Sequence, residues 1–126
     1  MAIKGHGVDI VEIARIAEML ASHPDRFIAR CFTPSEAGYC GDGPSRVQRF
    51  AARFAAKEAA LKAIGTGWRD GIAWTDIEVV PEPSGRPTLR VVGEAAKIAA
   101  GLGITRWHLS LSHSKSHATA SVIAEG

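Results

Sequence analysis

The stretch from Val47 to Ile64 constrains the fold more than any other. On a helix, Phe50, Phe54, Leu61 and Ile64 fall in one narrow stripe, and Ala55, Ala56, Ala59 and Ala63 cover the opposite side. A helix with bulk on one side and alanine on the other packs on both sides. That places it near the middle of a domain and offers its alanine side to a second chain. Gly65 supplies the helix stop.

The flanking segments have shorter periods. Ile3 to Val11 reads as a strand interrupted by Gly5 and Gly7, and glycine in a strand marks a bulge or a close approach of another backbone or a ligand. Ile13, Ile16, Ala17 and Leu20 predict an amphipathic helix with Arg15 and Glu18 off its apolar face. Thr33-Pro34-Ser35-Glu36 has the form of a helix start: a capping Thr, Pro at the first position and Glu three residues after the cap. Ile77 to Val80 and Thr88 to Val92 predict a hairpin across Pro81-Glu82-Pro83-Ser84-Gly85. A helix is expected from Gly93 to Ala100. Trp107 to His113 and Ala118 to Ala124 then alternate as a second hairpin with one apolar face. Together these predict an α+β fold with a largely antiparallel sheet, in one domain spanning residues 1–126.

Composition narrows the functional classes. Of 126 residues, 46% are hydrophobic and 22% charged, which excludes a disordered or fibrous chain. Lys and Arg number 15 against 13 Asp and Glu, a net +2 that is far from the basic excess of a nucleic-acid binder. An anionic partner must then meet a local patch. Cys31 and Cys40 are too few and wrongly spaced for a disulfide scaffold or a zinc cluster, and are read as isolated thiols. The first residues lack the apolar run of a signal peptide, and no window has the roughly 18 apolar residues of a membrane span, so a cytoplasmic location is expected.

Few side chains carry a chemical signal. Asp9 is either a cap for the next helix or an oxygen ligand for a hard cation such as Mg²⁺. Lys57 falls inside the apolar stripe and Glu58 at its edge. Lys62 follows Glu58 by one turn, as in an ordinary helix ion pair, and Arg53 precedes Lys57 by one turn. Three cations and a carboxylate on an alanine-rich helix also suggest one site for anions and a metal. Gly65-Thr66-Gly67 is a helix stop or a set of amides near a phosphate. His113 ends an apolar strand face as a structural residue or a site residue. The chain has no GxSxG elbow, Walker A loop or GxGxxG, and its serines form no nucleophile motif.

These residues resemble a known family. Gly7-Val8-Asp9-Ile10-Val11 with Arg15-Ile16, and Arg53-Phe54-Ala55-Ala56-Lys57-Glu58-Ala59 through Lys62-Ala63 to Gly65-Thr66-Gly67, are similar to the signatures of the holo-acyl-carrier-protein synthases. Asp76-Ile77-Glu78-Val79, Gly85-Arg86-Pro87 and Leu109-Ser110-Leu111-Ser112-His113 resemble the family's later blocks, in the same order. His117 departs from the family, where an aromatic is common, and Ala37 to Arg49 matches no motif.

The resemblance implies an enzyme of fatty-acid biosynthesis with the 4′-phosphopantetheinyl transferase-like fold. Such an enzyme moves 4′-phosphopantetheine from coenzyme A to a serine of an acyl carrier protein and releases adenosine 3′,5′-bisphosphate. It also implies a homotrimer with sites between subunits. Asp9 and Glu58 correspond to the Mg²⁺ ligands and Lys62 to the lysine beside the pyrophosphate. Arg53, Lys62, Gly65, Gly85, Arg86, Pro87 and His113 correspond to the coenzyme A site, and Arg15, Arg26 and Arg30 to the carrier-protein face. The serine proton would go to a water in the metal's shell held by Glu58, or to His113. Such chemistry needs charge neutralisation and no nucleophile from this chain. The competing expectation is a non-catalytic, trimeric coenzyme A or nucleotide-binding module, which needs no Asp9–Glu58 pair.

Overall fold

The computed structural model describes residues 1–69 and 71–126. Ten of its elements are helices or strands: β1 (Ile3–Glu12), α1 (Ile13–Ser22), α2 (Pro24–Cys31), α3 (Pro34–Cys40), α4 (Arg46–Ala63), β2 (Ile77–Pro81), β3 (Pro87–Val91), α5 (Gly93–Gly101), β4 (Arg106–His113) and β5 (His117–Glu125). A 3₁₀ turn, Trp74–Asp76, leads into β2. The α+β class and both expected hairpins are present. The antiparallel strands form two sheets: β1-β5-β4, and the separate pair β2-β3. Helix α2 was not expected from the sequence. Its eight residues bury only Phe27 and Cys31, too short a run to show a period.

Helix α4 is central. Its stripe of large residues meets an aromatic cluster, with Phe32 on Phe50 at 4.8 Å and Phe27 on Phe54 at 6.1 Å between ring centroids. Its alanine side lies on the three-stranded sheet. There the two strand glycines act: a Cβ on Gly7 would sit 1.9 Å from the Ala59 carbonyl oxygen, and one on Gly5 1.9 Å from that of Ala63. The backbone approached by β1 is therefore that of α4. The alanine side is covered within the chain and is not the surface for a second copy that the sequence suggested. The outward side chains of β1 are exposed instead, with Val8 at 52% and Ile10 at 63%.

Lys57 leaves the apolar stripe for a buried network. Its ammonium pairs with Glu36 at 2.7 Å, both side chains fully buried, and donates to the carbonyls of Ile77 and Trp74. Glu36 also accepts the Val79 N–H at 2.9 Å and the Thr33 N–H at 3.0 Å, while Thr33 Oγ1 accepts the Glu36 N–H at 3.2 Å. The expected capping box is therefore present, and it joins α3, α4 and β2. Burial pushes the Lys57 pKa down, and the Glu36 carboxylate opposes that shift. A buried pair with its remaining valences bonded is costly to break from one side. Cys31 and Cys40 are free and buried, and burial pushes the Cys40 thiol up to about 11.

Gly7→Ala is expected to force β1 off α4, costing about 3 kcal/mol and lowering the Tm by about 10 °C. Gly38→Ala, in α3 with no atom within 4 Å of a new Cβ, should hold or slightly raise the Tm. Thermal unfolding followed by circular dichroism checks both.

Candidate functional site

In β1 the inward residues alternate, so Asp9 follows Gly5 and Gly7 onto the face covered by α4. Asp9 caps no helix: α1 begins at Ile13, and its N-cap residue is Glu12, which makes no side-chain capping bond. Asp9 is buried and faces Glu58 and Lys62. Lys62 donates to Asp9 Oδ1 at 2.9 Å and to the Val8 carbonyl at 3.0 Å, which replaces the expected helix pair with Glu58. The other oxygen, Asp9 Oδ2, is buried without a hydrogen-bond partner. Glu58 feels burial first, then a hydrogen bond and charge repulsion from Asp9. Lys62 and Arg15 oppose these only in part, and the Glu58 pKa is pushed up to about 7.

Two facing carboxylates, one with an orphaned buried oxygen and one held partly protonated, lack positive charge. The donors are all oxygen, which suits a hard cation such as Mg²⁺ that keeps its remaining ligands as water or phosphate. The Lys62 ammonium on Asp9 already occupies part of that role. Asp9 and Glu58 therefore fit a Mg²⁺.

The other expected site residues are placed elsewhere. Arg53 and His113 line one groove of about 300 Å³ with Ser45, Gln48 and Arg49. Arg53 is 5% exposed, its guanidinium lies 4.1 Å from the Tyr39 ring centroid, and its Nε has no partner. The one anion-and-metal site suggested for Arg53, Lys57, Glu58 and Lys62 is thus divided. Lys57 is structural, Arg53 lines a neighbouring groove, and Lys62 sits on Asp9 beside Glu58. His113 pairs with Ala118 and Ala118 with Val11, so His113 is two strands, about 10 Å, across the sheet from β1. Gly85 and Arg86 form the β2–β3 turn, where Glu82 N–H donates to the Arg86 carbonyl at 2.8 Å, and Pro87 opens β3. None of the three lines the Arg53–His113 groove. Gly65, at φ +81°, ends α4 as expected. The amides of Gly65, Thr66 and Gly67 donate to the carbonyls of Lys62 and Leu61, so the phosphate cradle suggested for that loop is not present.

Arg15, Arg26 and Arg30 are all exposed. Arg26 and Arg30 flank an apolar cavity of about 190 Å³ whose walls include Met19, Phe27, Phe54 and Trp74. Arg26 and Arg30 thus rim an apolar hollow, while Arg15, one turn before Met19 on α1, is near enough to Glu58 to act on its charge. The sequence marked the arginines but not the hollow. Its one visible signal was Met19, at i+4 from Arg15.

No described helix is long and apolar enough to cross a membrane. Residues 5–121 match the family described as the 4′-phosphopantetheinyl transferase superfamily. The chain is 56% identical to a holo-[acyl-carrier-protein] synthase of Koribacter versatilis over 98% of both chains. It is 50% identical to one of an Anaeromyxobacter species over 98% of this chain and 97% of that one. Among solved structures, it is similar to the Neisseria meningitidis holo-[acyl-carrier-protein] synthase, with a TM-score of 0.88, 35% identity, and 99% and 100% of the two chains covered. It is also similar to the Helicobacter pylori enzyme in complex with coenzyme A, with a TM-score of 0.82, 30% identity, and 95% and 99% covered.

Because the folded pKa of Glu58 lies above its ordinary 4.5, the folded chain holds this proton more tightly than the unfolded chain. The stability that follows is complete below about 4.5 and is lost as the pH rises through about 7. Without metal, the Tm of the wild type is expected to fall from pH 5 to pH 8 relative to Glu58→Gln. Differential scanning calorimetry of the two proteins checks this.

Proposed function

The chain belongs to the 4′-phosphopantetheinyl transferase superfamily, among the holo-[acyl-carrier-protein] synthases, and on that premise we propose how its own residues perform the transfer. The substrates are coenzyme A and an apo acyl carrier protein, and the reaction is cytoplasmic and serves fatty-acid biosynthesis. The carrier's serine oxygen forms a bond to the phosphorus bearing pantetheine. The pyrophosphate bond breaks, adenosine 3′,5′-bisphosphate leaves with its electron pair, and the serine proton passes to a water. The observation that carries this reading is the unpartnered, buried Asp9 Oδ2 facing Glu58 beside Lys62.

Asp9 and Glu58 would hold Mg²⁺, which when bound neutralises and polarises the pyrophosphate oxygens. Glu58 orients the water that takes the serine proton, with His113 of a neighbouring subunit as the second candidate. The Lys62 side chain is 53% exposed, so its ammonium can turn from Asp9 to the leaving phosphate, where fixed positive charge is most effective. Arg53, Gly65, Gly85, Arg86, Pro87 and His113 form the walls of the coenzyme A site. Arg15, Arg26 and Arg30 meet the acidic carrier, and the apolar hollow between Met19, Phe27 and Phe54 receives one of its apolar side chains.

This site is incomplete in one chain. His113 and the Gly85–Pro87 turn stand apart from Asp9 and Glu58, and β1 exposes Val8 and Ile10. A homotrimer that packs through this strand face supports a shared site. Multi-angle light scattering is expected to return three times the 13.3 kDa chain mass, and a monomer under dilute native conditions contradicts the assembly.

With coenzyme A, Mg²⁺ and apo carrier, mass spectrometry is expected to show the carrier heavier by one phosphopantetheine. Coenzyme A binding with no change in carrier mass would favour the non-catalytic module. Glu58→Gln should keep fold and assembly yet lose about a hundred-fold or more in turnover. Near-normal turnover of Glu58→Gln at low Mg²⁺ would return Glu58 to a helix-surface role.

A further inference from the structure

The segment that follows α4 places Trp68 beside the docking hollow, against Trp74 and Arg30 of its lining. Gly65 and Gly67, at φ +81° and +57°, make the turn possible. The Trp68 ring stacks on Trp74 with centroids 6.0 Å apart and planes 12° from parallel. Trp74 in turn lies 5.1 Å from Phe54 in α4 and lines the hollow. The Arg30 guanidinium lies over the Trp68 ring, 5.7 Å from its centroid. Trp68 itself is 44% exposed and outside the buried core.

We propose that Trp68 is a positioning residue for the carrier protein: its ring holds the Arg30 guanidinium at the rim of the hollow before the partner arrives. This rests on the docking face read above. Arginine has several rotatable bonds, and an exposed one samples many rotamers. Each side chain ordered on binding weakens association, so fixing one in advance strengthens it. An indole is the best aromatic surface for a cation. A guanidinium held over the ring keeps N–H donors available to a carboxylate. Trp74 below keeps the indole from turning away. The ring interactions of Trp68 are with Trp74 and Arg30, beside the hollow, so its effect belongs to carrier association and not to the phosphoryl step.

The test measures steady-state transfer with the carrier and coenzyme A varied separately. Trp68→Ala is expected to raise the carrier KM about two- to five-fold. The coenzyme A KM and kcat at saturating carrier should hold. Trp68→Phe, which keeps a ring, should fall between wild type and Trp68→Ala. In an Arg30→Ala background, Trp68→Ala should add nothing to the carrier KM, because the residue it positions is gone. Trp68 is half-exposed, and an unchanged Tm separates lost positioning from lost folding. An unchanged carrier KM in Trp68→Ala, or an undiminished effect in the Arg30→Ala background, overturns the proposal. If the wild type leaves the carrier unmodified, the transferase reading itself fails, which is a different outcome.

Discussion

The fold depends on a close approach between two backbones, that of β1 and that of α4. β1 can lie against α4 because Gly5 and Gly7 have no side chains where the Ala63 and Ala59 carbonyls approach, 1.9 Å from where each Cβ would be. The alanines on the facing side of α4 complete the fit. The next inward residue of the same strand is Asp9, so the contact that seats the helix also delivers a carboxylate to it. Burial of Asp9, the orphaned Oδ2 and the raised Glu58 pKa all follow from this seating.

A second constraint fixes the rotation of α4. Lys57 and Glu58 are adjacent, so their side chains diverge by about 100° around the helix. Lys57 is drawn into the buried network of Glu36, Ile77 and Trp74. Glu58 is thereby turned toward β1. One side of the helix is locked by a satisfied ion pair, and the other presents charges that lack a counter-ion. Neighbouring residues of opposite charge have opposite fates, and packing decides which is structural.

Much of this was legible in the residues, and what was not has a physical cause. The capping box at Thr33 and Glu36 is local, as are the alternating strands and the stop at Gly65, so short-range pattern sufficed. Gly5 and Gly7 signalled a close approach but not what approached. The destination of Lys57 depends on Glu36, 21 residues away, and that of Lys62 on Asp9, 53 residues away, so helix spacing gave Lys57 no partner and Lys62 the wrong one. The alanine face read equally well as a contact with another chain, because nothing local distinguishes a sheet within the chain from a neighbour. The family resemblance supplied the pairing of Asp9 with Glu58, which no periodicity contained.

The central claim is that Asp9 and Glu58 act on one divalent cation. A double-mutant cycle with Asp9→Asn and Glu58→Gln, read as the Mg²⁺ concentration giving half-maximal carrier modification, tests it most directly. If the two carboxylates share one ion, each single substitution weakens apparent Mg²⁺ affinity steeply and the double variant is scarcely weaker than either. Losses that multiply independently in the double variant would contradict a shared ion and separate the two carboxylates into unrelated roles.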